Sequence, residues 1–222
     1  MRGQPPQPRF TIPASFLRAY LYCPRLPYLL HLGMVKPTEA SVRGRRLHRA
    51  YIGLSVRAGR LVEEGVGFAE AVEGLRPWLE DLLAGLGSPD PAGEAGLLVS
   101  HRLRHGFEGL PVRGEVEVEG GLVRGRVDLF EGCVPVEVKT GRAGRGDVAQ
   151  ALAYGVASGC GRAVVDYLGR GRVVLRVGSR AAGFVEDLVF RVIEAISSPG
   201  DVPRGGGCGS CPYRVECRLV FP

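Results

Sequence analysis

Residues 122–139 alternate apolar and polar side chains on either side of Gly132, and this pattern constrains everything around it. Alternation with a period of two marks strands, and a glycine between two such runs marks a turn. Residues 122–130 and 133–139 are therefore expected as an antiparallel hairpin. Side chains two apart on a strand share a face, so Glu137 and Lys139 stand together, with Asp128 on the neighbouring strand within reach. Residues 146–159 then read as a short helix carrying Gln150 and Tyr154 on one side. Another strand pair follows at 162–168 and 172–177, and a helix at 179–196 with Phe184, Leu188 and Val192 inward. Strands, crossover helix and further strands predict an α/β (α+β) fold, a central mixed sheet flanked by helices.

Two carboxylates that converge make a site for a hard divalent cation such as Mg²⁺ or Mn²⁺. A lysine beside them can orient an attacking water or help deprotonate it. The composition singles out the same place. Lys36 and Lys139 are the only lysines among 29 cationic residues, the chain has no asparagine, and Gln150 is the only glutamine after Gln7. Arginine cannot release its proton near neutral pH and lysine can, so a water-activating position has a reason to keep lysine. The competing explanation is a surface Glu–Lys pair on a solvated strand. The preceding G-x-x-D at Gly125–Asp128 and the following Q-x-x-x-Y at Gln150–Tyr154 favour the site.

Upstream, residues 16–35 look like a helix interrupted near Pro24 and Pro27, with Phe16, Tyr20, Tyr22 and Tyr28 expected as core aromatics and base-stacking platforms the alternative. Residues 41–59 read as a basic helix with Val42, Leu47, Tyr51 and Leu54 inward. Arg43, Arg45, Arg46, Arg49 and Arg57 on that helix form either a solvated cationic face or a phosphate-tracking surface. A further helix is expected from Glu63 to Leu86, bent or divided at Pro77, then a loop at 87–96 and strands at about 97–104 and 110–119. In the second of these, Glu115, Glu117 and Glu119 alternate with valines and are expected to be solvated. His31, His101 and His105 have no functional context. Residues 1–10, rich in proline, are expected as a disordered or loosely docked tail.

At the other end stand Cys208, Cys211 and Cys217 on a glycine- and proline-rich segment, a spacing that suits metal or cluster ligands. A fourth thiolate would come from Cys23, Cys133 or Cys160, and Cys133 and Cys160 also suit small buried positions. Zinc and an iron–sulfur cluster are both compatible with four thiolates. Disulfides fit a cytosolic protein poorly, though thermophiles are an exception, and the remaining alternative is that the cysteines bind nothing.

Tyr20, Cys23-Pro24, His48, Asp128, Glu137, Lys139, Gln150, Tyr154 and the terminal cysteines occur in the order that resembles the RecB-like branch of the PD-(D/E)XK nucleases. More closely, the chain resembles the CRISPR-associated exonucleases of spacer acquisition (Cas four). The resemblance implies a RecB-like core at 97–200, behind a helical region at 1–96 and ahead of a cluster segment at 201–222. It implies a metal held by His48, Asp128, Glu137 and the Val138 carbonyl, with Lys139 positioning water and Gln150 and Tyr154 orienting Lys139 or the DNA backbone. It also implies a [4Fe-4S] cluster, with [2Fe-2S] the alternative, on Cys23, Cys208, Cys211 and Cys217. The implied activity is trimming of single-stranded or splayed DNA ends, 5′→3′ and possibly also endonucleolytic, with the CRISPR integrase as partner. Two alternatives stand beside it: a RecB-like repair nuclease outside CRISPR, and an iron–sulfur DNA-binding scaffold whose nuclease site is vestigial.

The totals fit this without proving it. A net charge of +6 and a pI near 9.2 favour a polyanionic partner. No secretory signal or membrane-length apolar run is present, so a cytoplasmic protein with no membrane partner is expected. Few amides and two methionines suit a thermophile, while the arginine excess suits one less well.

Overall fold

The computed structural model describes residues 11–35, 39–205 and 208–221; the expected tail at 1–10 and Lys36 lie outside them. A six-stranded mixed sheet forms the centre. Strand β2 (Val112–Gly120) pairs antiparallel with β3 (Val123–Glu131), and β3 with β4 (Val134–Lys139). Helix α7 (Arg145–Ser158) carries the chain to β5 (Arg162–Tyr167), which lies parallel to β4, and β6 (Gly171–Arg176) closes that edge. The short β1 (Ile12–Pro13) runs parallel to the start of β3. The turn at Gly132 has φ 64°, a conformation in which glycine lacks the steric penalty of other residues. β4 is buried along almost its whole length, as a strand covered on both faces must be.

Helices cover both faces. On one, α3 (Glu39–Glu63), α4 (Phe68–Gly74), α5 (Arg76–Gly85) and α6 (Pro91–His105) bury Leu47, Tyr51, Leu54, Leu79 and Leu98 against Leu129, Val136, Val138 and Val164. On the other, α1 (Ala14–Tyr22), α7 and α8 (Ser179–Ser197) pack Leu17, Ala149, Ala153, Val185 and Val189 on Val127 and Phe130. The helix α2 (Leu26–His31) and the terminal helix α9 (Arg214–Val220) share a smaller core of Ala19, Leu26, Leu29 and Phe221. The first two helices and the last described segment thereby meet, with the Arg25 guanidinium 4.4 Å from the centre of the Phe221 ring.

Several expectations need correction. Residues 97–104 belong to α6 and not to a strand. The Asp90 carboxylate caps this helix by accepting from Gly93 N at 3.0 Å, Pro91 opens it, and Ala95, Leu98, Val99 and Arg102 are buried at helical spacing. The apolar run Leu97–Val99 has the same composition in either state, and only the cap and the spacing decide. The expected 63–86 helix is two, α4 and α5, with Pro77 in the first turn of the second. Val42 and Phe184, expected inward, are 53% and 44% exposed. Tyr22 is 59% exposed and leaves the aromatic core to its neighbours. Cys133 follows the Gly132 turn at the surface and is not a core residue, while Cys160 is half-buried and packs against the core beneath α7 and α8.

A buried ionic network pins the helical layer to the sheet. Glu131 accepts from Arg102 at 2.8 Å, from Arg172 at 2.9 and 3.0 Å, and from Glu108 N at 2.8 Å. Asp166 accepts from Arg172 at 2.9 Å, from the Tyr51 hydroxyl at 2.8 Å and from His101 Nε2 at 2.5 Å. Gly169 N donates to His101 Nδ1, so the imidazole proton sits on Nε2. His101 is thus structural, and Tyr51 holds α3 at a fixed height above the sheet, one turn beyond His48.

Candidate active site

The β3–β4 hairpin brings Asp128 beside Glu137 and Lys139. Asp128 Oδ2 accepts from Val138 N at 2.7 Å, which fixes the carboxylate, and Oδ1 lies 2.9 Å from His48 Nε2. His48 reaches it because α3 passes close to the end of β4. A Cβ on Gly44 would stand 2.8 Å from the Thr140 hydroxyl, so no larger residue fits that crossing without displacement.

Lys139 Nζ donates to Glu137 Oε1 and, at 3.1 Å, to Gln150 Oε1. Gln150 Nε2 donates to the Tyr154 hydroxyl at 3.2 Å, and that hydroxyl donates to the Arg126 carbonyl at 3.1 Å. This relay aims the Gln150 carbonyl at the ammonium. It also explains the glycine of G-x-x-D: a Cβ on Gly125 would lie 2.9 Å from the Tyr154 ring, so glycine makes the room the ring occupies.

Asp147 was not singled out from the sequence, yet it belongs here. It is buried, accepts from Arg18 Nε at 2.9 Å, Gly144 N at 3.1 Å and the Tyr167 hydroxyl at 3.3 Å, and lies 4.0 Å from Lys139 Nζ. Its signal was available, since Asp147, Gln150 and Tyr154 recur at helical spacing on one face of α7. Glu115, Glu117 and Glu119 are exposed, as expected, and Glu115 faces Arg126 at 3.5 Å.

The electrostatics are those of a crowded acidic site. Burial and the Asp128 charge push the Glu137 carboxyl up to about 7 against the opposing pull of Lys139 and His48. Burial lowers His48, but the hydrogen bond and charge of Asp128 and the charge of Glu137 outweigh it and hold the imidazolium above its ordinary range. Burial and the Glu137 charge raise the Tyr154 phenol, keeping it a donor.

The donor set of one imidazole and two carboxylates suits Mn²⁺ or Mg²⁺, and Glu137 Oε2 is a buried oxygen without a hydrogen-bond partner among the described residues. As they stand, no three His, Cys, Asp or Glu side chains among the described residues form a metal-holding group. The residues fit a cation through displacement of protons: those on His48 and Glu137 would leave on binding. Val138, expected as a carbonyl ligand, is buried on β4 and presents its N–H to Asp128.

Cys23, Cys208, Cys211 and Cys217, all free thiols, line one cavity of about 270 Å³ with Arg25, Arg204, Arg214 and Arg218. Cys133 and Cys160 are elsewhere, with the Cys160 thiol against the Cys133 carbonyl. Four thiols around one cavity, ringed by arginines, suit an anionic iron–sulfur cluster by donor type and charge. Of the basic face on α3, Arg46 and Arg43 pair with Glu94 at 3.0 and 3.3 Å and Arg57 stacks on Trp78, so these serve the helical layer.

No protein-family model matches the chain, and no curated protein matches it. Among the described residues no helix is long and apolar enough to cross a membrane.

Proposed function

We propose that the protein is a metal-dependent nuclease with a RecB-like core that hydrolyses single-stranded or splayed DNA from its ends. One observation carries this: His48, Asp128, Glu137 and Lys139 converge, and Gln150 and Tyr154 buttress the lysine from the adjoining helix. His48, Asp128, Glu137 and the Val138 carbonyl would hold Mn²⁺ or Mg²⁺, which when bound lowers the pKa of water and offsets charge on the scissile phosphate. Lys139, anchored by Gln150, orients the attacking water. Asp128, tethered by Val138 N, keeps its second oxygen directed at the site. The cysteines hold an iron–sulfur cluster with a structural role, closing the two chain ends on each other. The resemblance to the CRISPR-associated exonucleases implies a place in spacer acquisition, 5′→3′ polarity and the integrase as partner, and a cytoplasmic setting goes with that reading.

The test uses 5′- and 3′-labelled single strands with Mn²⁺, Mg²⁺ or EDTA and oxygen-protected protein. Metal-dependent shortening is expected, slowed by about 10²–10⁴-fold in Lys139→Ala while strand binding persists. Strand binding by wild type with no cutting in either metal would favour a DNA-binding scaffold. The cluster role predicts that Cys23→Ala loses the visible iron–sulfur absorbance and melts about 5–10 °C lower, a loss of a few kcal/mol for a chain of this size. An unchanged melting temperature would refute it.

A further inference from the structure

Beside the candidate site runs a groove of about 660 Å³ between α1, α2, the 142–147 segment and Pro212–Tyr213. We propose that this groove binds single-stranded DNA and leads it to Lys139, an inference that rests on the nuclease reading and names the path its substrate takes.

Charge is the first argument. Arg142 and Arg145 on its wall are exposed and make no ion pair or side-chain hydrogen bond among the described residues. Arg18 lies beside them with its guanidinium half-exposed. The one carboxylate in the lining, Asp147, is buried and taken up by Arg18, Gly144 N and Tyr167. The solvent-facing charge of the groove is therefore positive, as phosphate tracking requires.

Aromatic chemistry in the same lining is the second. Tyr22, 59% exposed, lies in the groove with apolar Leu21, Leu26 and Leu30 and with Tyr213. It ends α1 one turn beyond Arg18, so cationic and aromatic side chains alternate along the groove, which suits a strand that offers both phosphates and stacking bases. An acidic peptide would use the arginines but leave the exposed tyrosine unexplained.

Continuity is the third. Asp147 forms part of the groove and stands 4.0 Å from Lys139 Nζ, so the groove and the candidate site share a wall and a strand leaving the groove at this point is delivered toward the lysine. The loop between them is held in place by Arg170, which donates to the Gly141 carbonyl at 3.0 Å.

The test is anisotropy of a fluorescein-labelled oligothymidylate in EDTA, where binding is read without cleavage. Arg142→Ala/Arg145→Ala is expected to weaken binding about tenfold or more at low salt. It should flatten the log–log salt dependence by about 0.7 for each lost phosphate contact. Tyr22→Ala is expected to weaken it about tenfold with the salt dependence unchanged. Arg191→Ala, at an exposed basic position on the solvent side of α8, should bind as wild type does. Melting curves establish that each variant is folded. Wild-type affinity in both groove variants would overturn the proposal, as would a polyglutamate peptide that displaces the DNA at equal concentration. If the groove variants lose binding but wild type never cuts with metal, the nuclease reading fails and the groove stands. If wild type cuts and the variants bind normally, the groove fails alone.

Discussion

Glu131→Ala is expected to cost about 3–5 kcal/mol of folding stability, the range for removing one partner of a buried ion pair. Glu131 has no exposed surface and accepts from two guanidinium groups and a backbone N–H. Without it Arg102 and Arg172 remain buried, with Asp166 4.0 and 2.9 Å away and, for Arg172, Glu108 at 3.6 Å as the remaining carboxylates. A domain of ordinary stability has only about 5–15 kcal/mol to lose, so the variant should melt far below wild type or fail to accumulate. The same network sets acid behaviour. Burial would raise the Glu131 carboxyl, but the Arg102 charge and the Arg172 hydrogen bonds and charge outweigh it and hold it low. Asp166 is held low as well, burial being overcome by the His101 hydrogen bond and by both arginines. Carboxyls depressed in the fold contribute fully above their ordinary range and lose that contribution as pH falls through their folded values. The network's share of the urea midpoint should therefore stay constant from neutral pH down to about 4 and decline only below it. A loss under about 1 kcal/mol in Glu131→Ala would show that the network does not hold the layers together.

Glu137→Gln should have the opposite effect on stability and the largest effect on activity. The amide keeps an oxygen for Lys139 but cannot supply a second anionic ligand. Cleavage is expected to fall about a thousandfold, equivalent to several kcal/mol of lost transition-state stabilisation. Yet the variant should be the more stable protein at high pH. The wild-type carboxyl, raised to about 7, binds its proton more tightly in the fold than in the unfolded chain. That contribution is complete below the ordinary carboxylate range and is lost as pH rises toward 7 and beyond. Without metal, wild type should therefore lose stability over that interval and Glu137→Gln should not. A variant less stable than wild type at pH 8 would mean that ionised Glu137 is a structural partner of Lys139 and not a strained ligand.

How much of this was legible follows from where the information lies. Asp128, Glu137 and Lys139 could be brought together on paper because strand alternation and the Gly132 turn set both face and neighbour. Gln150 and Tyr154 followed from helical spacing, and Asp147 would have followed from the same spacing. His48 was assigned through resemblance, and what delivers it to Asp128, the close crossing at Gly44, has no sequence pattern. The network of His101, Arg102, Glu131, Asp166 and Arg172 was not legible as a network. His101 and Arg102 are neighbours on α6 and Asp166 faces Arg172 across the β5–β6 pair, but what joins these to Glu131 is contact between elements distant along the chain, which leaves no periodic trace. The 97–104 error has a different origin, a short apolar run that periodicity alone cannot assign.

The central claim is a divalent cation on Glu137 and its neighbours, and titration of Mn²⁺ into oxygen-protected wild type and Glu137→Gln tests it most directly. Below neutral pH the protons on Glu137 and His48 compete with the ion, so wild-type affinity should rise as pH passes through about 7, with proton release. The account predicts that this pH-dependent binding is present in wild type and absent from the folded Glu137→Gln protein. Equal Mn²⁺ binding by both proteins, or none by wild type at pH 8, would contradict it.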